Sequence, residues 1–341
     1  MKLQSQCITS IRFPLSVAVV FIHATVIEVM AADTHVFPYI FHLISDGVVK
    51  VAVPLFFAMS AWLFFISGWT WHGYASKLRR RIRTLLVPYI IWNILYIVVW
   101  YAAQQTLPSL ISGHYTAIRD YSPTDFLRCF WNILGGQFPI NGALWFIRNL
   151  IIFNLLAPVF YYTLRYAGRM LIPVLTVLYV LGIGSEWFIS MESIYFYALG
   201  AWLAVSGLPL FRPLNHGWAA GVAWASLLAA SLWWHEIRLL AILTGCIYIS
   251  HTTYRMTERG YGTQLSALAG CSFFIFAYHM LPNALIGKLT VRLFGVSGDV
   301  GFLLSYLFLV TATTLLGVAL YHIGHRICPR AMSVLCGGRA V

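Results

Sequence analysis

Residues Phe13–Ala32 read FPLSVAVVFIHATVIEVMAA, and this stretch decides the fold. Only His23 and Glu28 within it can carry charge. A helix needs about 20 apolar residues to cross roughly 30 Å of hydrocarbon, so the run is long enough to span. No small-residue cleavage site leads from it into a soluble domain, which argues against a secretory leader. The rest of the chain is of the same kind. Of 341 residues, 60% are hydrophobic and 9% are Asp, Glu, Lys or Arg, against about 25% charged in an ordinary soluble domain. The apolar excess excludes disorder as well. Aromatic residues make up 16%, including 13 Trp, as interfacial belts require.

Working outward, ten candidate spans follow: 13–32, 48–66, 85–103, 142–164, 171–185, 192–207, 217–234, 237–251, 266–287 and 300–321. The expected fold is therefore all-α, a polytopic membrane helix bundle occupying residues 1–341 as one integral-membrane domain. Ten crossings place both termini on one side. Fifteen of the 22 Lys and Arg then fall on the N-terminal side and seven on the other, which predicts N-in and C-in. The same distribution accounts for the net charge of +12 without nucleic acid. Residues 104–141 become one long external segment, a loop or a small cap. No internal repeat is visible, which disfavours inverted-repeat transporters.

Ionisable groups inside spans are costly and usually functional. His23 follows Arg12 by eleven residues, about three helical turns, so the two share a face roughly 16 Å apart. Glu28 and Arg148 reach similar depth with opposite sign, and a structural ion pair between them is one expectation. His279 lies within the ninth span beside Tyr278 and Asn283; the alternative reading of all three is an ordinary polar patch between helices. The densest charge is Lys77, Arg79, Arg80, Arg81 and Arg83. It reads either as a topology signal beside anionic lipid or as a clamp for phosphates, and the two are compatible. The six Cys show no CxxC and no metal-like spacing, so neither a disulfide framework nor a metal is expected. GxxxxGK[ST], GxGxxG after a strand, HExxH and GxSxG are missing from the sequence, which argues against an ATP-driven pump and a soluble-type hydrolase.

Four stretches then carry a resemblance. They are Arg12 with Val19–His23; Val53–Phe64 (VPLFFAMSAWLF), with Ala61 where a Gly is usual; the basic run ending Arg83-Thr84-Leu85-Leu86-Val87-Pro88-Tyr89; and Gly142–Ile147 (GALWFI). A later Phe276-Ala277-Tyr278-His279 adds to them. Together they resemble acyltransferase family 3, bacterial multi-span membrane enzymes that O-acetylate sugars and cell-surface polysaccharides. The resemblance implies a multi-pass protein of the bacterial cytoplasmic (inner) membrane, in contact with membrane lipid. It implies an acyl-CoA donor, usually acetyl-CoA, and a hydroxyl acceptor on a sugar or lipid-linked glycan. His23 would be the general base or a covalent acyl carrier. Arg12, Arg80, Arg81 and Arg83 would hold the coenzyme phosphates. Glu28 and His279 would join His23 from above, and Arg148, Trp145, Tyr278 and Asn283 would bind or orient the acceptor. A transporter or flippase for a glycan or lipid-linked substrate is the main rival reading, and a structural or sensory subunit the second.

Overall fold

Apolar runs free of turn residues fold into long helices here, and the interruptions prove as informative as the runs. The computed structural model describes residues 2–106, 117–132 and 138–338, the side chains of residues 263 and 264 excepted. Every regular element among them is helical. The first two, α1 (Lys2–Ile22) and α2 (Thr25–Met30), make one rod broken at His23–Ala24. The helix α3 (Phe37–Phe65) contains a π-helical turn at His42–Val48, and α4 (Trp71–Thr106) contains another at Ile82–Leu86. The short α5 (Pro123–Arg128) precedes α6 (Gly142–Leu155) and α7 (Ala157–Val180). Then come α8 (Met191–Val205), α9 (Gly217–Ala230), α10 (Arg238–Glu258), α11 (Leu265–Tyr278), α12 (Met280–Leu293), α13 (Gly298–Ile327) and α14 (Pro329–Leu335).

Four rods are long and apolar enough to cross a membrane: Lys2–Met30, Phe37–Phe65, Trp71–Thr106 and Gly298–Ile327. Two bent pairs raise the number to six if each counts as one span: α6 with α7, bent by 69°, and α11 with α12, bent by 73°. By length and composition alone, between four and six of the ten spans expected from hydropathy are recovered among the described residues. A run of apolar residues counts toward a span whether or not its backbone is straight. The helices α8 and α9 are apolar but only 15 and 14 residues long. The expected spans 142–164 and 171–185 give way to a pair broken at Leu156, with Arg165 and Arg169 inside α7. Within the expected cap at 104–141, residues 107–116 and 133–137 lie outside the described residues. The part between them closes over a small cluster of Trp100, Ile118, Cys129 and Ile140.

The central rod α1 packs against α3, α10, α11 and α13. The most extensive pairing is α3 with α8, where Gly200 meets Ala58 and the alanines Ala61, Ala198, Ala201 and Ala204 of the two helices are buried. A Cβ on Gly200 would collide with the Ala58 backbone. Small side chains let helix backbones approach where lipid offers no hydrophobic drive. Polar side chains tie distant parts together. The Gln4 amide donates to Phe211 O at 2.6 Å and accepts from Phe211 N at 2.9 Å. The Asp299 carboxylate accepts from the backbone N–H groups of His35, Val36 and Phe37 at 3.2, 2.8 and 2.7 Å, supplying the start of α3 with a cap from the far end of the chain.

Candidate active site

Both candidate histidines sit at helix breaks. His23 occupies the gap between α1 and α2, and His279 is the hinge residue between α11 and α12. A broken helix leaves carbonyls without their intrahelical partners, and at membrane depth those carbonyls need another donor. Side chains supply it. At the first break Asn283 Nδ2 donates to Val20 O at 3.1 Å and Ser45 Oγ donates to Phe21 O at 3.0 Å. At the second, Asn141 Nδ2 donates to Ala277 O at 2.8 Å, while His279 Nδ1 donates to Phe276 O at 2.8 Å and Ile275 O at 3.1 Å. Those bonds fix the His279 tautomer with its proton on Nδ1. Its Nε2 is left as a fully buried acceptor without a hydrogen-bond partner among the described residues. The His23 ring is its neighbour, 5.2 Å away between centroids.

The His23 ring opens onto a cavity of about 260 Å³, walled also by Lys50, Trp145, Arg148, Tyr179 and Glu192. Lys50 lies within electrostatic reach of both His23 and Glu192. A second cavity, about 140 Å³, holds Arg12 and Arg81 with Ser16, Ser60 and Ser272. Arg12 and Arg81 are close enough to repel one another. Two guanidinium groups held together with hydroxyls around them are a natural seat for phosphate. The two cavities follow one another along α1, α3 and α6: Ser16, Phe56 and Phe146 line the second, and His23, Val53 and Trp145 the first. They share no lining residue. Phe56, Phe146 and Phe276 stand between them, with ring centroids 5.9 Å apart for Phe56–Phe146 and 5.7 Å for Phe146–Phe276. The sequence put Arg12 and His23 on one helix face; the structure gives each its own chamber, with these three rings at the end of the arginine chamber nearest the histidines.

Other expected residues are placed differently. Glu28 does not pair with Arg148. Its carboxylate meets His42 Nε2 at 3.2 Å, and His42 Nδ1 meets Asp46 at 2.8 Å. Glu28 lies instead beside the π-helical turn of α3, whose His42 takes up its carboxylate. Arg148 is buried at 2% exposure, where its guanidinium donates to Trp131 O at 2.6 Å, Phe188 O at 3.3 Å and Asn149 Oδ1 at 3.2 Å. It lies over the Phe188 ring, 4.0 Å from the centroid, and so fixes the cavity wall as well as lining it. Trp145 lines the His23 cavity. Tyr278 turns away from it, stacks on Phe274 at 5.5 Å and donates to Thr313 O on α13. Asn283 touches the site through Val20 O rather than through a cavity wall. In the basic run only Arg81 faces the second cavity, while Arg80 and Arg83 are exposed. Lys50, Glu192, Tyr179 and Asn141 escaped the sequence reading. Lys50 and Glu192 carried a usable signal, being single charges at the edges of apolar runs.

An imidazole beside a chamber, with a phosphate seat one partition away, suits transfer of a group from a phosphate-bearing donor. Comparison with known proteins identifies the kind of group transferred. Over 311 residues the chain is 24% identical to the succinoglycan biosynthesis protein ExoH of Rhizobium meliloti (strain 1021), covering 87% of this chain and 81% of that protein. No solved structure matches. A family model described as an acyltransferase domain matches residues 6–322, a stretch that includes both histidines, both guanidinium groups and the partition between them, and the chain therefore belongs to acyltransferase family 3 and is an acyltransferase.

Proposed function

We propose that this protein moves an acyl group, acetyl in the first instance, from cytoplasmic acyl-CoA to a hydroxyl of a cell-surface polysaccharide across the bacterial inner membrane. The observation that carries the reading is the end-to-end placement of the arginine chamber and the histidine chamber along α1. The kinship with a succinoglycan biosynthesis protein supports a polysaccharide acceptor. The excess of Lys and Arg on the N-terminal side supports an N-in, C-in orientation, with the arginine chamber toward the cytoplasm.

Arg12 and Arg81 receive the coenzyme phosphates, and the pantetheine arm extends along α1 toward His23. The Phe56, Phe146 and Phe276 rings rotate aside to admit the thioester. His23 takes the proton from the acceptor hydroxyl as its oxygen attacks the thioester carbonyl. The tetrahedral intermediate collapses, the C–S bond breaks, and the coenzyme thiolate takes up the proton from His23. In the two-step variant, a His23 ring nitrogen attacks first, releases the thiol and carries the acyl group to the hydroxyl. His279 serves either route: with Nδ1–H committed to carbonyls, its Nε2, unpartnered among the described residues, becomes an acceptor for an N–H of His23 when the His23 ring swings toward it during the reaction. Lys50 and Glu192 meet the acceptor from the opposite wall.

The test uses membranes containing the protein, acyl-labelled acetyl-CoA and surface glycan. Label must reach the glycan with the wild type and fail to reach it with His23→Ala at equal protein level. Label transfer by His23→Ala at the wild-type rate would overturn the role of His23. Absence of label with the wild type, together with uptake of another acyl-CoA, would correct the donor.

A further inference from the structure

Three cavities meet at Tyr261, on the side of α1 away from Arg12. The first, about 610 Å³, lies between the loop before α9 and the end of α10; Trp218, Tyr248, His251, Arg255, Arg259 and Tyr261 form its walls. The second is a furrow of about 290 Å³ that runs along α1 past Ile11, Pro14, Leu15 and Ala18 to Val48 and Val49. It shares Thr252, Met256 and Tyr261 with the first. The third, also about 610 Å³, adds Lys2, Ser5 and Gln6, and shares Ser10, Thr257, Tyr261 and Gly262 with the furrow. A polar chamber with basic walls therefore adjoins an almost wholly apolar channel, with Thr252, Met256 and Tyr261 common to both.

The charges at the mouth are unbalanced. Arg255 is bonded to Glu258 at 3.1 Å, but Arg259 and Lys2 have no ion-pair partner among the described residues. Trp218, Tyr248 and Tyr261 give the mouth the amphipathic aromatic rings favoured at a membrane interface. The site is separate from the arginine chamber described above. That chamber takes Ile8, Arg12 and Ser16 from one face of α1, and the furrow takes Ile11, Leu15 and Ala18 from another.

We infer that this is a binding site for an anionic membrane phospholipid, its phosphate against Arg255 and Arg259 and one hydrocarbon chain along the furrow, with Lys2 adding positive charge from the neighbouring cavity. Forked guanidinium donors suit a phosphate head, and a basic pocket at the membrane edge suits anionic lipid. A free phosphate would satisfy the arginines but leave the adjoining furrow unused, and the continuity of the two cavities favours a ligand with a tail.

Native mass spectrometry of the full chain in detergent tests this, with phosphatidylglycerol, phosphatidylcholine and tail-free glycerol phosphate as probes. At least fivefold greater retention of phosphatidylglycerol than of phosphatidylcholine is expected. Arg255→Gln/Arg259→Gln should abolish that preference, while Arg165→Gln/Arg169→Gln, which removes equal charge elsewhere, should leave it intact. Ala18→Trp, which fills the furrow and touches no charge, should reduce retention severalfold. Equal retention of the two lipids, or an unchanged preference in Arg255→Gln/Arg259→Gln, overturns the headgroup assignment. Glycerol phosphate displacing phosphatidylglycerol at equal concentration, or unchanged retention in Ala18→Trp, overturns the tail assignment. If the double arginine variant does not fold, the lipid comparison, the competition and Ala18→Trp still decide.

Discussion

The two chambers along α1 are built in opposite ways. The histidine chamber is made at discontinuities: two helix breaks, each with its freed carbonyls capped by Asn283, Ser45, Asn141 or His279 itself. The arginine chamber draws on α1 below its break and on the straight part of α3, with Arg81 at the edge of a π-helical turn. A side chain on a continuous helix can move in its rotamers without disturbing the backbone. One at a break is positioned by the hydrogen bonds that keep the break open. The difference predicts that substitutions around the histidines act on chemistry and stability together, and that those around the arginines act on donor binding alone.

The largest expected effect is that of His23→Ala, a loss of transfer on the order of 10²–10⁴-fold, the range for removal of a general base. Labelled-acyl transfer at matched protein level measures it. Next comes Arg12→Gln/Arg81→Gln. Charged hydrogen bonds contribute about 1.5–3 kcal/mol each, so loss of both should raise KM for the acyl-CoA on the order of 100-fold or more with kcat little changed. Arg80→Gln/Arg83→Gln should move KM by less than about twofold, because both side chains point outward. An equal rise in both double variants would erase the distinction between the chamber and the exposed run. Asn141→Leu sharpens the comparison from the other side. It leaves Ala277 O without its donor at the His279 hinge, so thermal unfolding in detergent should register a loss of about 1–3 kcal/mol, together with slower transfer. Stability equal to wild type would mean the hinge does not depend on that cap. The smallest effect belongs to Glu28→Gln. Its pair with His42 is open to solvent, the side chains being 29% and 43% exposed, so the change should be at most about 1 kcal/mol with transfer within about twofold. A tenfold loss of transfer there would return Glu28 to the reaction.

Much of this contrast was legible in the sequence. Charge and hydropathy marked Arg12, His23 and His279 as residues out of place in lipid, and the helical period put Arg12 and His23 on one face. What hydropathy does not register is whether a helix continues. The breaks at His23 and His279 lie inside apolar runs, so Glu28 was assigned a depth along a straight rod and a partner it does not have. Arg80 and Arg81 are neighbours in sequence yet about 100° apart around a helix, and which one faces inward depends on how α4 is rotated by its packing. Lys50 and Glu192 enter the histidine chamber from two helices far apart in sequence, a juxtaposition created only by the pairing of α3 with α8.

The Asp299 carboxylate has a bearing on how the molecule is assembled. The backbone N–H groups it accepts from open α3, yet Asp299 itself lies 262 residues after Phe37 and opens the last long helix. During synthesis the ribosome delivers the beginning of α3 long before that acid emerges. The start of α3 must therefore fold with its cap missing, and it acquires its final anchorage only when nearly the whole polypeptide has been made.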